Sequence, residues 1–241
     1  MSMRAVSIVL VAAATTASSL GFCTEIPYPT VLSGEANGDR FGVAVENAGD
    51  VNGDGYEDLL VGAQGSDIIG PDAGCAYLFL GGPDWDSTPD ARFTPNPGSP
   101  DMRWFGSVLG RGGDFNGDGF ADLFIGSPVE PGFNGAGRVY VYFGGSNLGE
   151  TPAFILMPPD PLDGLASSLS WVGDINGDGF GDLVVGAPGY RRSPDSQAGR
   201  AYVYFGGREP DGPCETTKSG RESPFTSPTD ATAFPKKSLA G

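Results

Sequence analysis

The sequence predicts an all-β protein made of repeated four-stranded antiparallel sheets, and three observations carry this prediction. An acidic loop of the form Asp-x-Asn-Gly-Asp-Gly-x-x-Asp occurs three times, beginning at Asp50, Asp114 and Asp174. Successive loops begin 64 and then 60 residues apart, and a period of this kind is typical of repeat architectures. After the first twenty residues, no window has the apolar i, i+3, i+4, i+7 pattern of a long helix.

Each unit contains apolar runs in register with its loop. The runs are short, rich in Val, Ile, Phe and Tyr, and bounded by Gly, Pro, Asn and Asp, which is the signal of β-strands. Together they indicate four strands per unit, forming one antiparallel sheet. The runs after the loops are residues 59–64, 123–128 and 183–188; the next runs are 74–82, 137–145 and 199–207; looser apolar patches lie at 30–32, 91–93 and 153–156.

The run that follows each acidic loop is continuously apolar, which indicates a strand covered on both faces. A sheet stacked between two like sheets provides such cover, and radial stacking of four-stranded sheets is a β-propeller. Because four blades are the usual minimum, three predict an incomplete or open propeller. Three alternatives are consistent with this number of blades: a truncated reading frame, assembly with further copies, or an open arc. A leading strand near residues 30–32 is expected to complete a last blade.

The two ends of the chain differ in composition from the repeats. Arg4, the apolar residues 5–14 and the small residues 15–19 have the order of a secretory signal, too short to span a membrane. Cys23 leaves a lipid anchor open, although the bulky Phe22 before it argues against one. We therefore expect a secreted or cell-surface protein. The predicted segments are a signal peptide (1–22), a repeat array (23–208, blades 38–100, 101–162 and 163–208) and a disordered tail rich in Pro, Ser and Thr (209–241).

The acidic loops have the chemistry of a hard-cation site. Glycines at positions 4 and 6 let the backbone curl, so that side-chain oxygens at positions 1, 3, 5 and 9 and the carbonyl at position 7 point inward. Five oxygens without nitrogen or sulfur favour a structural calcium ion over zinc or magnesium. The predicted ligands of the three Ca²⁺ sites are Asp50, Asn52, Asp54, the Tyr56 carbonyl and Asp58; Asp114, Asn116, Asp118, the Phe120 carbonyl and Asp122; and Asp174, Asn176, Asp178, the Phe180 carbonyl and Asp182.

Two other interpretations of the loops are weaker. Plain Asn-Gly and Asp-Gly hairpin turns would not need three converging carboxylates, which repel by ~4 kcal/mol per pair at an effective dielectric near 20. An EF-hand needs an acidic residue at position 12 and a following helix. Position 12 is Val61, Ile125 or Val185 here, and a predicted strand follows.

Further motifs at fixed distances from the loops resemble a known family. Phe41-Gly42 and Phe105-Gly106 precede their loops by nine residues, and the third loop is followed by Val185-Gly186-Ala187-Pro188. Over roughly residues 30–207 the chain resembles the FG-GAP repeats of integrin α-subunit propellers and of many secreted microbial proteins. The departures are Leu165-Ala166 for Phe-Gly, Gln64 for Pro and Ser127 for Ala, and none of them is a predicted ligand.

The resemblance implies adhesion or extracellular recognition of a protein or glycan, with calcium loops on one face and partner-binding loops on the other. Self-association that completes the propeller fits as well. A lectin-like protein is the alternative, in which Trp85, Trp104 and Trp171 would stack on sugars, although packing between blades accounts for them better.

Composition argues against several other functions. The chain contains no histidine, which excludes Ser-His-Asp, Cys-His and His-ligated zinc chemistry. Its net charge of −16 disfavours nucleic acids and anionic membranes as partners. A hydrolase with paired carboxylates is the weakest alternative, because the remaining acids share no pattern between repeats, and we expect no enzyme. These acids include Asp84, Asp86, Asp160 and Asp163.

Overall fold

The structure, a computed structural model, describes residues 30–95, 103–128, 137–158, 163–193 and 196–208, with no side-chain placement for 191–197. The predicted signal peptide, Cys23 and the predicted tail lie outside these residues. The chain divides into two compact units, Met1–Leu32 and Ser33–Gly241, and every strand among the described residues belongs to the second.

The described residues contain thirteen strands and no helix. Strands β1 to β4 form the first sheet and β5 to β8 the second, each in chain order. The third sheet has the order β13-β10-β9, and β11 pairs with β12 in a small hairpin. All ladders are antiparallel. The strands are β1 Phe41–Gly49, β2 Asp58–Ala63, β3 Cys75–Phe79, β4 Ala91–Phe93, β5 Val108–Gly113, β6 Asp122–Ser127, β7 Arg138–Tyr142, β8 Phe154–Leu156, β9 Ser168–Gly173, β10 Asp182–Ala187, β11 Arg191–Ser193, β12 Ser196–Gln197 and β13 Arg200–Tyr204.

This architecture confirms the all-β prediction and the repeated antiparallel sheets. The first two sheets have the predicted four strands, whereas the third has three within the described residues. The prediction of a strand near residues 30–32 was wrong, because this segment pairs with no described strand. A β-strand is defined by its hydrogen bonds to a neighbouring strand. The connection between β10 and β13 contains the β11–β12 hairpin.

The sheets stack face to face, with one apolar cluster in each gap. Leu123 and Ile125 of β6 belong to the cluster shared with the first sheet, whereas Phe124 between them belongs to the cluster shared with the third. All six residues of β6 are buried. The second sheet is therefore covered on both faces, as the continuous apolar run predicted, and each large side chain buried there contributes about 1.5–3 kcal/mol.

Candidate metal centre

The three acidic loops occupy equivalent places in the three sheets. Each is the hairpin connection between the first and second strands, joining β1 to β2, β5 to β6 and β9 to β10. Because the sheets are antiparallel, the connections between the second and third strands leave from the opposite end of the strands. The acidic loops therefore lie at one end of the strands and the β2–β3, β6–β7 and β10–β13 connections at the other.

The first aspartate of each loop holds the turn together. One carboxylate oxygen of Asp50 accepts the N–H groups of Gly53 at 2.7 Å and Asp54 at 3.0 Å, and the other accepts the N–H of Gly55 at 2.8 Å. Asp114 and Asp174 make the same three bonds in their loops. The N–H of Gly179, with further backbone N–H groups, lowers the pKa of Asp174.

Positions 3 and 5 are joined to each other by hydrogen bonds. In the first loop, Asn52 Oδ1 accepts the N–H of Asp54 at 3.0 Å, and Asn52 Nδ2 donates to Asp54 Oδ2 at 2.9 Å. Asp54 Oδ1 accepts the N–H of Tyr56 at 2.9 Å. The second and third loops repeat all three bonds within 0.1 Å, so three separate stretches of sequence adopt one conformation.

The aspartate at position 9 is buried and ties its loop to the third strand of the same sheet. Asp58 accepts the N–H of Val51 through Oδ2 at 2.8 Å and the N–H of Gly81 through Oδ1 at 2.7 Å. Asp122 and Asp182 make the equivalent pairs of bonds. Sequence reasoning missed the glycine partners, although a Gly-Gly pair recurs at this point of every unit. The glycines are Gly81, Gly144 and Gly206.

Burial makes the negative charge of Asp58 and Asp122 unfavourable. It raises the pKa of Asp122 to about 7, and it raises the pKa of Asp58 above its ordinary value of 3.8. The ion pairs found among the described residues are Arg92 with Glu35 and Arg103 with Asp72, outside the loops. A cation bound in the loop would therefore stabilise the ionised carboxylates that the sequence places there.

The oxygens of the loops fit such a cation, although the side chains alone do not form a closed cluster. Among the described residues, no group of three or more His, Cys, Asp or Glu side chains is gathered closely enough to hold a metal ion. The reason is that the carboxylates point toward backbone N–H groups. A carboxylate has about four acceptor positions, so these oxygens keep further lone pairs. No described N–H donates to the predicted ligand carbonyls, those of Tyr56, Phe120 and Phe180.

Backbone hydrogen bonds also fasten each of the first two loops to the next sheet. The N–H of Ala121 donates to the carbonyl of Asp50 at 3.0 Å, and the N–H of Gly145 donates to that of Val51 at 2.8 Å. Gly181 and Gly207 donate in the same way to the second loop, at 3.3 and 2.9 Å. The loops thus belong to the joints between sheets.

The side chains considered for other functions lie in separate environments. Trp171 stacks on Phe124 with ring centroids 5.9 Å apart, in the gap between the second and third sheets. Trp85 is exposed, and Trp104 is half-buried just before β5. The three tryptophans therefore do not share one environment.

The acids outside the loops are also scattered. Asp163 is buried and accepts a hydrogen bond from the Tyr202 hydroxyl. Asp84 and Asp86 are exposed, and Asp160 lies outside the described residues. Cys75 is buried with a free thiol, and Cys214 lies outside the described residues.

Fold and loops together define a class: a repeat protein of stacked antiparallel sheets with an acidic loop in each sheet. The chain is an FG-GAP repeat protein, because the profile of the FG-GAP repeat matches residues 41–79, 105–142 and 166–204. The first two matches include the pairs Phe41-Gly42 and Phe105-Gly106, and each of the three matches includes its acidic loop.

The repeats are similar to those of integrin α-subunits. Mouse integrin alpha-IIb is 38% identical over 178 residues, which is 68% of this chain and 17% of that protein. Integrin alpha-PS5 of Drosophila melanogaster is 36% identical over 168 residues (66% and 16%), and integrin alpha ina-1 of Caenorhabditis elegans is 30% identical over 178 residues (66% and 15%). The chain thus spans less than a fifth of the length of these relatives. No helix in the part of the chain that the structure describes is long and apolar enough to cross a membrane.

Proposed function

We propose that this chain is a secreted, calcium-binding FG-GAP protein that acts in adhesion or extracellular recognition, with calcium as a structural ion. The observation that carries the calcium assignment is the identical hydrogen-bonded conformation of the three acidic loops. The similarity to integrin α-subunits, which are not enzymes, supports a recognition role over a catalytic one.

Each ion would be held by the side-chain oxygens at loop positions 1, 3, 5 and 9 and by the position-7 carbonyl. When bound, Ca²⁺ supplies positive charge to a set of oxygen donors that would otherwise repel one another. The chain's own groups hold the loop in the conformation that gathers these oxygens. The N–H groups around Asp50 fix the turn, and Asp58 connects the loop to the end of β3.

Calorimetric titration of the full chain with calcium chloride tests this assignment directly. We expect a stoichiometry of three, and two in the Asp54→Ala variant, which removes a position-5 carboxylate that is exposed and outside the core. Asp67→Ala is the matched control, because Asp67 lies in the β2–β3 connection at the opposite edge. A titration without heat, together with equilibrium dialysis that retains no calcium, would exclude the proposed sites.

The recognition surface is proposed at the edge opposite the calcium loops. The connections there differ in length and sequence among the three units: residues 64–73, 128–136 and 188–198. Variable connections on a regular framework are the usual place for partner-binding residues. Ile68 and Ile69 are exposed in the first of them, and exposed apolar side chains of this kind suit a protein partner.

Binding assays decide between a protein and a glycan partner. We expect the full chain to bind one or more members of a panel of purified extracellular-matrix proteins, and Ile68→Asp to weaken this binding. A signal on a glycan array that Trp85→Ala abolishes would instead support the lectin-like alternative. Secretion is tested separately, by the intact mass of the exported protein, which should lack about the first 22 residues if the predicted signal is cleaved.

A further inference from the structure

The third sheet presents to solvent the face that the first two sheets bury. Position 2 of the acidic loop shows this most clearly: Val51 is 0% exposed and Phe115 1%, because the next sheet covers them, whereas Ile175 is 55% exposed. Phe205 is exposed on the same side. Its counterparts Leu80 and Phe143 lie in the gaps between sheets. We call this apolar surface the terminal face; it comprises Ile175, Val184, Val203 and Phe205.

The backbone of the third loop has the same unmatched character. The carbonyls of the residues at positions 1 and 2 accept hydrogen bonds from the following sheet in the first and second loops. No described N–H donates to the equivalent carbonyls of Asp174 and Ile175. A ring also lies against the position-4 glycine of the first two loops, whereas nothing lies within 4 Å of a β-carbon built on Gly177.

The first sheet carries the complementary groups on its own outer side. Tyr56 is 48% exposed and stands where Phe120 and Phe180 provide the ring of the internal contacts. The N–H groups of Glu57 and Gly82 stand where Ala121 and Gly145 donate to the first loop, and they have no hydrogen-bond partner among the described residues.

Strand β1, the first strand of the first sheet, adds an apolar group to this side. Val45 of β1 is 55% exposed, whereas its counterpart Leu109 of β5 is 4% exposed in the gap between the first two sheets. Tyr77 and Phe79, farther out on the first sheet, are already buried. The free part of this side therefore comprises the inner strand and the acidic loop.

We propose that the terminal face docks onto the first sheet of a second copy of this chain, by repeating the contact that joins consecutive sheets within one copy. Tyr56 of the second copy would cover Gly177, its Glu57 and Gly82 N–H groups would donate to Asp174 and Ile175, and Val45 would pack on the terminal face. A head-to-tail contact either closes or extends indefinitely. Two copies joined twice in this way form a ring of about six sheets, within the range of about four to eight blades of known propellers.

Sedimentation velocity of the full chain tests the proposal, at about 150 mM salt to screen the net charge of −16. We expect a species of twice the chain mass to accumulate as the protein concentration rises to about 0.1 mM, well above the Kd of a micromolar contact. Ile175→Asp should shift this transition to at least tenfold higher concentration. The matched control is Met157→Asp, which places the same charge at an exposed apolar side chain outside both proposed surfaces and should leave the transition unchanged.

Amide hydrogen exchange at low and high concentration gives a second measurement. The Glu57 and Gly82 amides should exchange more slowly in the pair, and Ile175→Asp should remove this protection. Both measurements are made in calcium and in chelator, so that a failure of calcium binding is distinguishable from a failure of docking. A monomer at all concentrations, a mass that grows beyond two copies, or an Ile175→Asp variant that pairs like the wild type would overturn the proposal.

Discussion

The ring of Phe120 lies directly against Gly53 of the preceding loop, so that a β-carbon on Gly53 would come within 2.6 Å of Phe120 Cε1. Phe180 stands in the same relation to Gly117. Position 7 of one acidic loop thus packs on position 4 of the loop before it. Since position 7 also offers its carbonyl as a predicted ligand, consecutive loops share a contact at the site itself.

This relation predicts different costs for one substitution at two equivalent glycines. Gly53 and Gly177 have nearly the same left-handed backbone, with φ of 78° and 80°. Alanine at either position costs about 1–2 kcal/mol for this conformation. Only Gly53→Ala must also displace the Phe120 ring, because nothing lies near the Gly177 position. Chemical denaturation of the dilute protein should therefore show the larger loss for Gly53→Ala, and equal losses would contradict the packing described.

Position 2 of the loops predicts a second contrast. Phe115 is buried in the gap between the second and third sheets, so Phe115→Ala should cost about 3–5 kcal/mol of unfolding free energy. Ile175 occupies the same position of the third loop but is exposed, so Ile175→Ala should change stability by less than about 0.5 kcal/mol. Urea unfolding below the pairing concentration measures both. A large effect of Ile175→Ala there would show that the third sheet is covered within one copy.

Much of this fold could be predicted from the sequence because its punctuation is local. The acidic loops and the glycines around them mark where β2, β6 and β10 begin, and the apolar runs give the strands themselves. Even the drifted third unit keeps the pattern, because Ala166 adopts a φ of 66°, close to that of Gly106 at 78°. Local signals of this kind do not depend on tertiary contacts.

The features that the sequence could not supply depend on distant partners. The bond from Gly81 to Asp58 joins residues 23 apart, and only the paired sheet brings them together. The exposure of Ile175 is invisible for the same reason, since Val51, Phe115 and Ile175 are all apolar in sequence. The apolar patch at residues 30–32 resembled β4 and β8 in composition, but composition does not provide a ladder partner.

Removal of calcium should destabilise the protein by a measurable amount. A site that binds at tenfold excess over its Kd stabilises the folded state by about 1.4 kcal/mol, and three sites by about 4 kcal/mol. For a chain of this size that corresponds to a fall in Tm of roughly 10 °C when a chelator replaces calcium. Replacing calcium with magnesium is the control, because the smaller ion suits an irregular set of five protein oxygens poorly. An unchanged melting curve would argue against a structural ion.

The buried Asp122 predicts that pH acts in opposite directions with and without calcium. Burial raises its pKa to about 7 in the folded protein, from an ordinary value of 3.8. Without metal, the folded state therefore binds the proton more tightly, and the associated stability is present below about pH 3.8 and lost as pH rises to about 7.

For this one group, the free energy of unfolding without metal should fall as pH rises, by at most about 1.4 kcal/mol per pH unit. Calcium binding requires the ionised carboxylate of Asp122, so protonation competes with calcium. At saturating calcium, the stability that calcium adds should therefore rise as pH rises over the same range. Denaturant unfolding at pH 5 and pH 7.5, in chelator and in calcium, measures both trends. Asp122→Asn should flatten both. If the two wild-type trends had the same sign, the carboxylate of Asp122 would not be the group that calcium and the proton share.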